Sequence, residues 1–282
     1  MGMAQQARGN DDVQRALAEL GPWPARFARL GYMAKGTVYV VVGGLAFQAA
    51  VGVGGRTTDT EGALTSIFRQ PLGPVLLALV ALGLFSYAAW RLAQSLLDLE
   101  RKGRSPKGLV KRTGYLFSGL AYGGLGLSAT RQVIGLTTGG GWTEEDWTAF
   151  VLGHPFGRWL VAAAGVVLLG LALNAAVVAL RPLYARKLKQ EEMSEGAEAV
   201  SSGLATVGLL ARGLVFGLLG VFFIQAGWES DPQEVGGLSD VLIAIASQPQ
   251  GPWLLGATSA GLIAYGLFAL VQARYRRIPL PE

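Results

Sequence analysis

An all-α integral membrane fold is what this sequence predicts: six transmembrane helices from three parallel two-helix repeats, with approximate threefold pseudo-symmetry and a short interfacial helix in each outer loop. Three observations carry the expectation. The first is a spacing that occurs three times. Gly31-Tyr32-x-x-Lys35-Gly36-x-x-Tyr39 returns as Gly114-Tyr115-x-x-Ser118-Gly119-x-x-Tyr122 and as Gly208-Leu209-x-x-Arg212-Gly213-x-x-Phe216. A Pro-x-Gly turn follows in each unit, its proline (Pro71, Pro155, Pro249) standing 40, 41 and 41 residues after the leading glycine. Such a period marks one unit used three times. The second is composition: the 282 residues are 51% hydrophobic and 15% charged, against about 25% charged in soluble domains. The third is the placement of the basic residues. Seventeen Lys and Arg flank the spans on one side, and the three opposite loops hold two, Arg56 and Arg69. By the positive-inside rule both termini are expected in the cytoplasm.

These signals divide the chain into an N-terminal segment 1–28, repeat one 29–99, repeat two 112–184, a linker 185–205, repeat three 206–276 and a tail 277–282. Residues 10–20 read as a short amphipathic helix, with Asn10 as N-cap and Val13, Ala16, Leu17 and Leu20 on one face. Residues 1–25 hold no apolar h-region, so the first span is expected to direct insertion itself. The spans are expected near 32–51, 73–96, 114–136, 157–180, 204–227 and 251–273. Each is close to the ~20 residues that cross the hydrocarbon, and unpaired backbone in lipid obliges such runs to be helical.

Between the two spans of each unit lies a helical segment of about ten residues, too short to cross. Asp59 or Thr60 starts the first, Thr143 the second and Ser239 the third. The turns after them contain Pro71 and Gly73, Pro155 and Gly157, and Pro249 and Gly251. Trp142, Trp147, Trp228 and Trp253 fall at this level, where an aromatic belt belongs. On the other side, 98–113 is short and basic. The longer segment 181–203 reads as helix-prone through Met193 and then Ser/Gly-rich, a solvated linker or hinge.

The repeat resembles the bacterial membrane proteins catalogued as domain of unknown function 1206. The resemblance rests on Arg29-Leu30-Gly31-Tyr32-x-x-Lys35-Gly36, Asp59-Thr60-Glu61-Gly62-Ala63-Leu64 and Gln70-Pro71-Leu72-Gly73, and covers about 29–99, 112–184 and 206–276. It implies architecture and no activity.

Among candidate functional residues, Gly36, Gly43, Gly119, Gly123, Gly126, Gly213, Gly217 and Gly220 form small-residue stripes that let helix backbones approach closely, within the bundle or at a dimer face. Gln48, Arg131 and Gln225 stand at matching depth, twelve residues after the second glycine of each unit. They either snorkel to the outer interface or form a polar ring on the axis. Lys35 and Arg212, with Ser118 between them in repeat order, make an inner basic set that positive-inside anchoring would explain. Arg91, Trp90 and Asn174, near the inner ends of the second helices, read the same way. His154 is the only histidine and cysteine is absent, which leaves no basis for thiolate metal sites or bis-histidine haem. His154 occupies the place of Gln70 and Gln248, so a turn-capping role is expected. No cofactor is expected. The basic charge suits anionic headgroups of the bilayer, and nucleic acid is not an expected partner. The expectation is a non-enzymatic accessory or scaffold component with a membrane protein partner, or alternatively a small-solute or ion pathway on the pseudo-axis.

Overall fold

Nine α-helices order the described residues of this computed structural model, which are 23–55, 57–99, 103, 105–136, 144–185 and 188–277. The expected N-terminal helix over 10–20 and the Thr143 cap lie outside them. The long helices are α1 (Trp23–Ala50), α3 (Gly73–Leu96), α4 (Pro106–Val133), α6 (Gly157–Leu180), α7 (Glu195–Glu229) and α9 (Gly251–Tyr275). Three nine-residue helices join the members of each repeat on one side: α2 (Thr60–Phe68), α5 (Glu144–Leu152) and α8 (Leu238–Ala246).

Five helices, α1, α3, α6, α7 and α9, are long and apolar enough to cross a membrane. The sequence expectation was six. The 28-residue α4 is long enough, but Lys107, Lys111 and Arg112 in its first two turns and a glycine-rich middle lower its mean hydropathy.

The helix starts have local causes. Asp59 accepts from Gly62 N at 2.7 Å to cap α2, and Ser105 and Ser194 cap α4 and α7 by accepting from Gly108 N and Ala197 N. The third short helix begins before the expected Ser239. Gly237 occupies its N-cap, and its N–H donates to Asp240 Oδ2 at 2.7 Å. The Pro-x-Gly turns repeat one geometry. Gly73, Gly157 and Gly251 N–H groups donate to the carbonyls of Gln70, His154 and Gln248 at 2.8, 2.9 and 2.7 Å. A Cβ on any of these glycines would lie within 1.8–1.9 Å of a carbonyl oxygen of the preceding short helix, on Phe68, Val151 or Ala246. Only glycine fits there. His154 Nδ1 lies 2.7 Å from Phe150 O, and Gln248 Nε2 donates to Ala244 O at 3.3 Å, the same bond one turn back.

Each repeat's first helix packs against the second helix of the repeat before it, and the first repeat takes its partner from the third. The pairs are α4 on α3, α7 on α6 and α1 on α9, with further packing of α1 on α3 and α7 on α9. The order in space is therefore α4, α3, α1, α9, α7, α6. Among the described residues α4 and α6, the two helices of repeat two, are not a packed pair. Consistently, α6 is the least buried of the five apolar helices.

Glycines set the three main crossings. A Cβ on Gly36 would come within 2.8 Å of Gly266 O, and one on Gly266 within 2.7 Å of Gly36 O. Gly220 and Gly165 face each other in the same way at 2.9 and 2.6 Å, and Gly43 would meet Ser259 O at 2.8 Å. A Cβ on Gly119 or Gly126 would come within 2.9 and 3.1 Å of the Leu92 and Phe85 side chains, and one on Gly213 within 3.3 Å of Ala172 O. Gly123 and Gly217 depart from the expected stripe, since each would have only an alanine Cβ at 3.8 Å, an ordinary contact.

The linker reverses its expected character. The Ser/Gly-rich residues 195–203 are the first turns of α7, whereas 182–185 and 188–192 are strapped to the end of α9. Lys189 N donates to Tyr275 O at 2.8 Å, Leu188 bridges Arg276, and Arg277 Nε donates to Leu188 O at 3.1 Å. Tyr184 is buried against Phe268 with its hydroxyl 2.8 Å from Ser202 Oγ.

Candidate functional site

Six tyrosines meet the cations Lys35, Arg91 and Arg212 in the half of the bundle nearer the basic loops, and Arg276 stands over one of them, Tyr32, at 4.9 Å. Lys35 lies near the middle of α1 and is 4% exposed. Its ammonium donates to Tyr265 Oη of α9 at 2.6 Å and to Tyr87 Oη of α3 at 3.4 Å. It also stands over the rings of Tyr265, Tyr87 and Tyr122 at 4.9, 5.3 and 5.8 Å. Arg91 of α3 donates to Tyr87 Oη from Nε at 2.9 Å and from Nη2, and its guanidinium covers Tyr115 of α4. Arg212 of α7 lies over Phe216 at 4.3 Å and Tyr265 at 5.1 Å, and its Nε has no hydrogen-bond partner. Edge-on ring pairs, Tyr87 with Tyr122, Tyr39 with Tyr265 and Tyr32 with Tyr87, knit the cluster. The Tyr32 hydroxyl is buried without a hydrogen-bond partner.

Lys35 and Arg212 lie within 4.9 and 5.1 Å of one ring centre, so their charges are at most 10.0 Å apart. At an effective dielectric of about 20 that repulsion is at least ~1.7 kcal/mol. Each charge at membrane depth costs a further ~2.5–3.5 kcal/mol on the insertion scale. Among the described residues no carboxylate pairs with Lys35, Arg91 or Arg212; the ion pairs Arg112–Asp98, Lys189–Glu192 and Arg277–Glu191 lie at the basic loops. Cation–π contact and the tyrosine oxygens offset part of that cost. Lys35 is therefore not an interfacial anchor, because its ammonium ends among rings and hydroxyls. Arg91 differs from its expected role in the same way. Trp90, read with it as an anchor, is also buried.

Toward the short helices the core turns apolar. Val38, Val42 and Ala46 of α1 meet Leu77 and Leu84 of α3, Ala129 of α4, Val215 of α7 and Leu262 of α9 in one apolar cluster. The cation cluster itself is less closed: Tyr39, Tyr122, Arg212 and Phe216 are all half-buried.

The sequence-predicted polar ring is not assembled. Gln48, Arg131 and Gln225 are all exposed. At 100° per residue Gln48 points about 200° away from buried Ala46, and Arg131 stands likewise to buried Ala129. Gln48 lines a shallow pocket of about 320 Å³ with Arg69 and Gln70 beside α2. The inner basic set fares differently, because Lys35 and Arg212 do come together on Tyr265. Sequence reasoning missed the tyrosines that receive them. The signal was present: Tyr87 and Tyr265 both stand fourteen residues after the Pro-x-Gly glycine, where repeat two has Leu171. Repeat two thus lacks both the cation, at Ser118, and the tyrosine, and it is also the repeat whose two helices stay apart.

Three segments, 30–98, 113–181 and 207–276, match the family described as Domain of Unknown Function (DUF1206). A relative in Bacillus subtilis (strain 168), "Uncharacterized protein YxxB", is 34% identical over 260 residues, covering 92% of this chain and 94% of its own. No solved structure matches. With three repeats matched in tandem and a relative similar along nearly its whole length, the chain belongs to the family of Domain of Unknown Function 1206.

Proposed function

We propose that this chain is a non-enzymatic accessory or scaffold component of the bacterial cell membrane. In this reading α4 is a sixth span and the three repeats are related by rotation about the membrane normal. Three equivalent inter-repeat helix pairs support that arrangement. Helices α2, α5 and α8 lie at the outer interface, with Trp228 and Trp253 exposed beside them. Both termini face the cytoplasm, and the basic loops meet anionic headgroups. Gln48, Arg131 and Gln225 reach the outer interface by snorkelling.

The observation that carries the reading is the apolar cluster joining α1, α3, α4, α7 and α9 in the outer half, which favours a sealed bundle over a conduit. One observation favours a second reading, an anion pathway opening by rearrangement: the cation cluster in the inner half, since ionisable groups at membrane depth are costly and usually serve a function. Proteoliposome flux and native-membrane purification separate the two. A scaffold gives no gradient-driven movement of chloride or phosphate and co-purifies with a stoichiometric membrane protein. Flux abolished by Lys35→Gln and Arg212→Gln would replace it with the pathway.

A further inference from the structure

The cluster around Lys35 has a surplus of hydrogen-bond donors. A lysine ammonium offers three N–H donors and a guanidinium five, and neither accepts. Tyr265 Oη accepts from Lys35, and Tyr87 Oη accepts from both Lys35 and Arg91. Each hydroxyl accepting from a cation keeps its own hydrogen to donate, and no acceptor for either is found among the described residues. Arg212 Nε is likewise a buried donor without an acceptor. On the acceptor side stand the tyrosine oxygens and Gln94 Oε1, which takes Arg91 Nη1 at 3.0 Å.

Lys35, Arg91 and Arg212, their surplus O–H and N–H donors and, among the described residues, no carboxylate paired with them describe the complement of an anion with several oxygens. A halide can accept several of these donors but offers a single centre, whereas a phosphate-type oxyanion sets separate oxygens against a guanidinium fork, an ammonium and the hydroxyls. The way in is on the side where repeat two is open. Arg212, Phe216 and Tyr122 keep partial exposure, and α4 and α6 are not a packed pair among the described residues. Ser118 and Leu171, the small and apolar replacements in that repeat, leave that side without the cation and the tyrosine found in the others.

We infer that Lys35, Arg212, Tyr87 and Tyr265 form a binding site for a phosphate-type oxyanion, held in the inner half of the bundle and reached laterally between α4 and α6. The oxyanion is either the headgroup of an anionic lipid or a free phosphate. The site stands whether the bundle acts as scaffold or pathway, because it concerns binding and not movement.

The test uses the full chain purified in neutral detergent. Phosphatidylglycerol, phosphatidylcholine and inorganic phosphate are added separately at constant ionic strength. Retained lipid is read by native mass spectrometry and the melting temperature by scanning fluorimetry. Retention of one phosphatidylglycerol with a rise in Tm, and none with phosphatidylcholine, assigns the oxyanion to a lipid. A rise with inorganic phosphate assigns it to a free ion. Arg212→Gln is the first variant, since it leaves the Lys35–Tyr265 bond in place, and it should bind at least about tenfold more weakly. Its ligand-free Tm should stay level or rise, because a repelling charge is gone. Lys35→Gln is the second variant, and Arg131→Gln, remote from the cluster, should bind as wild type. Wild-type protein that retains no anionic lipid and shows no shift with phosphate, or a folded Arg212→Gln that keeps the full shift, would overturn the proposal.

Discussion

Single residues in this fold are constrained most tightly where backbone meets backbone. Gly73, Gly157 and Gly251 each open a long helix against the last carbonyls of a short one, and any side chain there must displace the chain. Gly251→Ala is therefore expected to destabilise by about 1–3 kcal/mol, the usual cost of overpacking, and to lower Tm in detergent. Gly124→Ala is the matched control. Nothing lies within 4 Å of its added Cβ, so helix propensity alone should leave Tm level or raise it slightly. Equal melting of wild type and Gly251→Ala would show that the close approach is absent. These turns were legible in sequence because Pro-x-Gly recurs at one spacing. The environment of Lys35 was not. Its place near the start of an apolar run suits an anchor, and only the pairing of α1 with α9, 230 residues away in sequence, puts Tyr265 against it.

Among elements, the glycines of the small-residue stripes meet unequal neighbours: an added Cβ would strike backbone at Gly36 and only an alanine Cβ at Gly123. Spacing identifies which glycines share a face. Which of them touch depends on the crossing point, and that is a property of two helices. Gly36 and Gly266 meet backbone to backbone, so Gly36→Leu should lower stability by about 1–3 kcal/mol, read as a fall in Tm and in folded yield. Gly123→Leu and Gly217→Leu should do much less, because only Ala88 and Ala172 Cβ atoms stand nearby at 3.8 Å. A fall as large for Gly123→Leu as for Gly36→Leu would mean that α4 crosses α3 elsewhere. The strap at 182–185 and 188–192 escaped the sequence for a related reason. Its anchors are the backbone at the end of α9 and two buried side chains, those of Leu188 and Tyr184, none of which leaves a periodic trace. Tyr184→Ala removes the second side chain and its bond to Ser202, and should cost about 3 kcal/mol, with faster proteolysis of the segment as a second readout.

At the scale of the whole molecule, repetition explains why the helices pair across units. A two-helix unit in lipid gains little by burying apolar surface, so close backbone contact with a neighbour must supply the association. Three units supply three such contacts if the third unit reaches back to the first, and α1 on α9 makes that closing contact. The contact missing from the expected ring is the one within repeat two, where α4 is also the least apolar long helix and α6 the most exposed. The fold class was legible because composition, period and charge asymmetry are long-range averages. The opening was not, since it depends on substitutions such as Ser118 and Leu171 that look unremarkable in a membrane helix. Orientation rests on charge asymmetry, and the cysteine-free chain allows a direct check. Single cysteines replacing Lys107 and Thr143 fall on opposite sides of the proposed membrane. Only the variant at Thr143 should react with an impermeant maleimide in intact cells, and the variant at Lys107 should react after permeabilisation. The seventeen-to-two bias makes the reverse result improbable on charge grounds. Labelling of the Lys107 variant alone in intact cells would invert the topology and place the cation cluster in the outer half. Equal labelling of both would show that α4, the one proposed span between the two positions, does not separate the loops.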